Sequence, residues 1–273
     1  MSKIRLVGIS GAAGVGKDTA SHRLVEKHGF VQIALADPLK RFAHQIFDFS
    51  EKQLWGPSSY RDKVDSRYQR YSEESIDDSW SAASSRLKQH GRNFIREVIN
   101  SSNEDEVAGH YASLSRWFRW LGASQPKLTP RAVLQSLGTE WGRYEVSESL
   151  WVAYTIDIAG KLLGEDIGTH YVYDKVTGLS ETDEGVSHAG VVVSDIRFPN
   201  ELQMIQDAGG FLIRIVRDDA PGSVGLAGHA SELEQSLFTK TQFNYTIDNN
   251  NTLSSLHEAI DLCPLLLGVK KVT

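Results

Sequence analysis

The stretch Gly11-Ala-Ala-Gly14-Val-Gly16-Lys17-Asp18-Thr19 decides the fold of this chain. It comes after an apolar run, Ile4 to Ile9, and before a helix-like stretch, which predicts a strand, a glycine-rich turn and a helix in succession. Glycines let the backbone curl with its N–H groups pointing inward, and the lysine adds a mobile positive charge. The start of a helix also favours an anion. The segment is therefore typical of a loop that binds phosphate groups.

Position 18 departs from the usual form of this loop. A Ser or Thr normally follows the lysine and contacts Mg²⁺ through its hydroxyl, whereas here Asp18 stands at that place and the hydroxyl belongs to Thr19. We therefore expect Asp18 or Thr19 to organise Mg²⁺, directly or through water. A glycine-rich turn without a ligand is the alternative interpretation. The position of the loop directly after the first predicted strand favours phosphate binding.

Composition limits the classes of partner. The 273 residues carry a formal net charge of −6, which argues against binding of polymeric nucleic acid, while a small phosphorylated ligand needs only a local positive cluster. The single cysteine, Cys263, excludes an intramolecular disulfide. The sequence has no secretion signal at its start and no apolar run of about 18 residues. These features predict a cytoplasmic protein without a membrane segment.

Apolar strands alternate with helical patterns along the chain, which predicts an α/β fold with a mainly parallel sheet and helices on both faces. Residues 1–273 are predicted to form a single domain. Residues 50–128 are polar and rich in Ser, Arg and Glu, so we expect an inserted, mostly helical lobe there. Residues 165–188 are predicted to form a small hairpin-like excursion.

Helix starts are predicted from capping residues. Asp37, followed by proline, and Asn200 are the expected N-caps of two helices. Thr129-Pro130 is the expected start of a third, which continues to Arg143. Arg131 then lies in the first turn of that helix, where it is a candidate for holding an acceptor phosphate.

Charged residues follow several predicted strands, and ligands of open α/β sheets bind outside the carboxyl ends of the strands. Lys17 follows the first strand, Lys40 the second, and Asp195 and Arg197 the strand that begins at Val191. Phosphoryl transfer depends on positioning and on neutralising charge, which such side chains supply. The other interpretation of Asp195 is a helix cap or an ion pair with Arg197.

Three candidates have a structural alternative of their own. Arg131, like Arg197, also fits an exposed surface arginine. Trp151 would stack on a base, or it would pack in the core as aromatic residues of apolar helices usually do.

Four segments in order resemble the motifs of the bacteriophage deoxynucleoside monophosphate kinase family. They are Gly16-Lys17-Asp18-Thr19, Leu35-Ala-Asp-Pro-Leu39-Lys40, Arg131-Ala-Val-Leu-Gln-Ser-Leu-Gly138-Thr-Glu140 and Val193-Ser-Asp195-Ile-Arg197-Phe-Pro-Asn-Glu201. The likeness runs from residue 4 to about residue 255 and is poor in 50–128 and 165–188. Because this family has Asp after the loop lysine, Asp18 supports the resemblance.

The resemblance implies a P-loop kinase-type fold whose inserted lobe serves as substrate lobe or lid. It implies ATP-dependent phosphorylation of 2′-deoxynucleoside 5′-monophosphates to diphosphates, with Mg²⁺, for phage DNA precursor synthesis, by a homodimer. The implied ATP-binding residues are Gly14, Gly16, Lys17, Asp18 and Thr19. The implied substrate-binding residues are Leu39, Lys40, Arg131, Gly138, Trp151, Asp195, Arg197, Glu201 and either Arg67 or Arg70 from the lobe. Lys17, Arg197 and Asp195 are the expected catalytic residues.

Three other functions fit the same motifs. The chain would phosphorylate another small phosphorylated metabolite, or a hydroxymethylated base within phage DNA, or it would be a regulatory module that binds ATP as a conformational ligand. The sequence also leaves open which bases are accepted.

Overall fold

A computed structural model of the protein describes residues 5–68, 78–164, 169–218 and 238–267. The predicted substrate residue Arg70 lies outside these residues. The chain divides into two compact units. The first consists of residues 1–35, 155–173 and 179–273, and the second of residues 36–154 and 174–178.

The first unit contains a five-stranded parallel sheet. Strands in the described part of the chain are β1 (Leu6–Ser10), β2 (Phe30–Ile33), β3 (His170–Asp174), β4 (Gly178–Thr182), β5 (Gly190–Ile196), β6 (Phe211–Val216) and β7 (Tyr245–Asp248). The sheet has the order β2-β5-β1-β6-β7, and β3 pairs with β4 in a separate two-stranded sheet. Every neighbouring pair of the large sheet is parallel. The predicted α/β fold with a parallel sheet is therefore confirmed.

Helices make up most of the remaining described chain. They are α1 (Lys17–His28), α2 (Asp37–Phe47), α3 (Glu51–Leu54), α4 (Ser58–Arg61), α5 (Asp78–Ile99), α6 (Glu104–Ser124), α7 (Pro130–Ser136), α8 (Leu150–Leu162), α9 (Pro199–Asp207), α10 (Leu253–Asp261) and α11 (Pro264–Leu267). A π-helix, Leu137–Val146, follows α7, and 3₁₀ turns span Ser66–Tyr68 and Lys240–Gln242. None of the helices in the described ranges is long and apolar enough to cross a membrane.

Helices cover both faces of the sheet. Val7 of β1 belongs to a buried cluster with Leu24 of α1 and Ile260 of α10. Successive residues of a strand point to opposite faces, and the next residue, Gly8, faces Ile205 of α9. A β-carbon at Gly8 would lie 3.3 Å from the Cγ2 atom of Ile205, and it would overlap the side chains of Ile196 and Leu212 on the neighbouring strands. This arrangement confirms the prediction of helices on both faces.

The second unit is mostly helical and has an aromatic core. Phe42 of α2 lies 4.5 Å from Phe94 of α5 and 6.1 Å from Trp117 of α6, measured between ring centroids. Phe47 stacks on Phe49 at 5.5 Å. Burial of such rings supplies a large apolar area from few residues, so this unit has its own core.

Two predicted N-caps and the form of one predicted helix are wrong. Asp37 is the first residue of α2, and Ala36 is its N-cap. Asn200 lies inside α9, which begins at Pro199 because the side chain of Glu201 already accepts hydrogen bonds at this turn. The helix predicted from Thr129-Pro130 does begin with Thr129 as N-cap, but it widens into the π-helix after seven residues.

Candidate active site

The glycine-rich loop joins β1 to α1 in the first unit. Gly14 has a φ of 77° and Gly16 a φ of 102°, values that side-chain-bearing residues rarely adopt. Helix α1 then begins at Lys17. In the sheet order β2-β5-β1-β6-β7, the chain passes from β1 to β2 on one side and later from β5 to β6 on the other side of β1. The loop after β1 therefore lies where open α/β sheets bind ligands.

The ammonium group of Lys17 lies back over this loop. Its Nζ atom donates hydrogen bonds to the carbonyl oxygens of Gly11, at 2.6 Å, and Ala12, at 2.7 Å. The pKa of Lys17 is lowered, first by burial and then by the positive charge of Arg197, while the Asp18 and Asp195 carboxylates oppose this shift. The structure thus brings four of the predicted residues within electrostatic reach of one another.

Asp18 and Thr19 occupy the first turn of α1, where Asp18 is exposed and Thr19 half-buried. In the described part of the chain, no group of three or more His, Cys, Asp or Glu side chains could hold a metal by itself. The carboxylate of Asp18 and the hydroxyl of Thr19 are oxygen donors. They fit Mg²⁺, because in kinases this ion binds one or two protein oxygens together with substrate phosphates and water.

Asp195 and Arg197 lie at the carboxyl end of β5, Asp195 as its last residue but one and Arg197 directly after it. The Oδ1 atom of Asp195 accepts a hydrogen bond of 2.8 Å from the backbone N–H of Leu35, which ties the end of β5 to the segment after β2. The Arg197 side chain is exposed, and it makes no hydrogen bond or ion pair with any residue that the structure describes. Its guanidinium is therefore available to an anion.

Glu201 fixes the backbone that carries Arg197. Its Oε2 atom accepts hydrogen bonds from the N–H groups of Arg197, at 2.8 Å, and Phe198, at 3.0 Å. The Glu201 residue is buried, with 5% of its surface exposed. In this structure it stabilises the start of α9 and so helps to position Arg197.

Leu39, Gly138 and Trp151, all predicted to surround the substrate, meet in the second unit. A β-carbon on Gly138 would lie 2.8 Å from the Cδ2 atom of Leu39, and the carbonyl of Gly138 accepts a 2.9 Å hydrogen bond from the indole N–H of Trp151. Trp151 is only 5% exposed and packs directly against Gly142. The indole therefore has the packing of a core residue, which is the structural alternative for Trp151, and its place beside the substrate stays a prediction.

Arg131 is held by a carboxylate of the same unit. Its Nε and Nη2 atoms donate to Asp62, and Nη2 also donates to the hydroxyl of Ser58 at 2.7 Å. The hydrogen bond from Arg131 lowers the pKa of Asp62. The sequence predicted that Arg131 binds an anionic ligand. In the structure, the carboxylate of Asp62 occupies the guanidinium of Arg131.

Lys40 and Arg67 show the same arrangement. The Nζ atom of Lys40 lies 3.7 Å from the Oδ1 atom of Asp37, one turn back along α2. Arg67 donates to Asp65 and to Asp48, each at 2.9 Å. Each described cation assigned to the deoxynucleotide within the second unit thus has an internal carboxylate partner.

Sequence reasoning missed two residues of these sites. Asp62, the partner of Arg131, lies in a polar segment without a recognisable pattern. Asn249 directly follows β7, and its side chain donates a 2.8 Å hydrogen bond to the carbonyl of Val15 in the glycine-rich loop. The run of three asparagines from Asn249 was the available signal, because polar residues after a strand of this sheet are candidates for a site.

Comparison with known proteins extends the likeness beyond these residues. The sequence profile of the family described as deoxynucleotide monophosphate kinase matches residues 5–260. A protein of Acanthamoeba polyphaga mimivirus named "Putative deoxynucleotide monophosphate kinase" is 26% identical over 258 residues, which cover 94% of this chain and 95% of that protein. The resemblance drawn from four segments is thereby confirmed. The chain belongs to the deoxynucleotide monophosphate kinase family and is, at that level, a kinase of nucleotide metabolism.

Proposed function

We propose that the protein transfers the γ-phosphate of ATP to a 2′-deoxynucleoside 5′-monophosphate, with formation of ADP and the deoxynucleoside diphosphate. The observation that carries this proposal is that the paired strands β1 and β5 of a chain from this family end next to one another, with Lys17 following the glycine-rich loop after β1 and with Asp195 and Arg197 at the end of β5. Phosphoryl transfer depends mainly on positioning and on charge stabilisation, and these side chains offer both.

The donor side is formed by the first unit. The N–H groups around Gly14 and Gly16 would bind the phosphates of ATP, and Lys17 would exchange its two carbonyl partners for phosphate oxygens. Asp18 and Thr19 would hold Mg²⁺, which neutralises charge on the β- and γ-phosphates when it is bound. Arg197 would bind the phosphoryl group during transfer, and Asp195 would orient Mg²⁺, its water or a substrate hydroxyl.

We assign the acceptor side to the second unit, as the substrate lobe. Arg131 and Lys40 would bind the monophosphate, with Arg67 or Arg70 as a further cation. Leu39, Gly138 and Trp151 would form a wall of the nucleoside site, since they pack on one another in the structure. Glu201, which belongs to the first unit, would act there by fixing the backbone at Arg197.

Our proposal for the biological setting and for the oligomeric state rests on the family resemblance. We propose that the protein supplies deoxynucleotides for the DNA of a phage and that it acts as a homodimer. The relative from Acanthamoeba polyphaga mimivirus supports a viral setting.

The test is a coupled ADP-release assay with ATP and, in turn, dTMP, dGMP, dCMP and dAMP. We expect at least one to be phosphorylated, and we expect Lys17→Ala and Arg197→Ala each to lower kcat/KM about 100-fold or more, because each removes a charge from the transferring group. Arg96→Ala is the matched control, since Arg96 is a surface arginine paired with Glu104. Full activity in both variants would remove these assignments, and turnover of another phosphorylated acceptor alone would change the substrate class.

A further inference from the structure

Asn249 connects the segment after β7 to the glycine-rich loop. Its backbone N–H donates to the carbonyl of Val216 at the end of β6, at 2.8 Å, and its side-chain Nδ2 atom donates to the carbonyl of Val15, also at 2.8 Å. Asn249 is only 9% exposed. Since a buried amide that donates in this way is difficult to replace by water, the contact constrains the loop.

This bond fixes the orientation of one peptide group. In a trans peptide the C=O and N–H point in opposite directions, so an amide that holds the Val15 carbonyl turns the N–H of Gly16 the other way. On the far side of Gly16 its carbonyl accepts a 3.0 Å hydrogen bond from Ala20 in the first turn of α1. Gly16 is therefore held by α1 on one side and by Asn249 on the other.

The glycine makes such a constraint necessary. Gly16 has a φ of 102°, and glycine rotates about this bond with little steric resistance. The asparagine also lies close to it, because a β-carbon on Gly16 would be 2.7 Å from the Nδ2 atom of Asn249. Without the side-chain amide, the Val15–Gly16 peptide could rotate and turn its N–H away from a bound anion.

We propose that Asn249 is a positioning residue for the phosphoryl donor, which keeps the Gly16 N–H directed at the phosphates of ATP. This inference rests on the proposed assignment of the loop as the donor site. Asn249 does not itself touch the reacting atoms. Its removal should weaken donor binding and leave the affinity for the acceptor unchanged.

The neighbouring Asn250 is a matched control within the same segment. Its side chain exchanges two hydrogen bonds with Asp218, at 2.9 Å and 2.7 Å, and it is exposed. Asn250→Ala thus removes the same chemical group one residue away without changing the bond to Val15.

The experiment measures ADP binding by calorimetry, together with the KM values for ATP and for the deoxynucleotide. We expect Asn249→Ala to weaken ADP binding and to raise the KM for ATP about tenfold. The reason is that the Gly16 N–H, no longer held in direction, would lose its hydrogen bond to a charged phosphate. The KM for the deoxynucleotide should stay within about twofold. Asn249→Asp, which keeps the volume but sets an oxygen against the Val15 carbonyl, should be at least as severe.

Three results would overturn the proposal. These are unchanged ADP affinity in folded Asn249→Asp, an equal effect of Asn250→Ala, or equal rises in both KM values. If the wild-type protein phosphorylates a deoxynucleotide and one of these occurs, only the role of Asn249 is refuted. If the wild-type protein binds neither ADP nor ATP, the assignment of the donor site fails and the proposal for Asn249 fails with it.

Discussion

Replacing Asp62 with Asn should tighten binding of the deoxynucleotide. In the structure the Asp62 carboxylate holds the guanidinium of Arg131, the group that we assign to the acceptor phosphate. The substrate must displace this carboxylate or share the guanidinium with it. An amide keeps the size of the side chain but removes the negative charge, so the competition becomes weaker.

The size of the effect follows from the exposure of the pair. The side chain of Arg131 is 39% exposed and that of Asp62 is 53% exposed, so solvent screens their attraction. Ion pairs of this kind contribute about 0.2–1 kcal/mol. The KM for the deoxynucleotide should therefore fall by a factor between about 1.4 and about 5. Because Arg131 lowers the pKa of Asp62, the carboxylate is charged throughout the neutral range, and the factor should not change between pH 6 and pH 8.

The assay is the initial rate against deoxynucleotide concentration at saturating ATP. Glu104→Gln is the matched control, because Glu104 forms a similarly exposed pair with Arg96 in the same unit and should leave the KM unchanged. A double-mutant cycle adds a second check, since Asp62→Asn should have no effect once Arg131 is Ala. An unchanged or higher KM in Asp62→Asn would refute the reasoning, because it would mean that Asp62 does not compete with the substrate.

Two further predictions concern stability. Asp261→Asn should lower the free energy of unfolding in urea by about 1–2 kcal/mol at pH 6, because the Asp261 carboxylate loses its ion pairs with Arg23 and Lys27 and its hydrogen bond with His28. These hydrogen bonds lower the pKa of Asp261. The difference in unfolding free energy between the wild-type protein and Asp261→Asn should therefore be complete above about pH 4 and decline below it. Equal differences at pH 6 and pH 2.5 would contradict this. Gly142→Ala should lower the unfolding free energy by about 1–3 kcal/mol, because a β-carbon there would lie 2.3 Å from the Trp151 ring. Gly109→Ala, whose β-carbon would meet nothing within 4 Å, should be neutral or stabilising, and equal losses in thermal denaturation of both variants would refute the steric argument.

Local patterns in the sequence were sufficient for the sheet and the glycine-rich loop. The first strand has no charged residue and is apolar from Leu6 to Ile9, which is typical of a buried parallel strand. Thr129-Pro130 is a helix start that depends on two adjacent residues. The predicted N-cap at Asn200 was wrong because Asn200 and Glu201, two side chains that can accept hydrogen bonds from the N–H groups of a helix start, are adjacent in the sequence. The Glu201 carboxylate reaches back to the N–H groups at the turn, and nothing in the sequence alone shows which side chain will do so.

The pairing of charges was beyond sequence reasoning for a different reason. Arg131 and Asp62 are 69 residues apart, and Asn249 and Val15 are 234 residues apart. Such contacts depend on how the helices pack and where the strand ends meet, and a single sequence gives no register for either. A contact of the π-helix is similar, since the carbonyl of Gly138 accepts a hydrogen bond from an indole 13 residues further on.

In the proposed substrate lobe, the internal carboxylates would give the second unit a means of selecting its ligand. Lys40, Arg67 and Arg131 each have such a partner, so a ligand gains from these cations only if it replaces the interaction that it breaks. A monophosphate with up to two negative charges and three acceptor oxygens can do so through bidentate hydrogen bonds. An uncharged nucleoside would leave the pairs intact and gain nothing from the cations. Because specificity is a difference between affinities, pairing that lowers the absolute affinity for the nucleotide also discriminates against the nucleoside that lacks the phosphate.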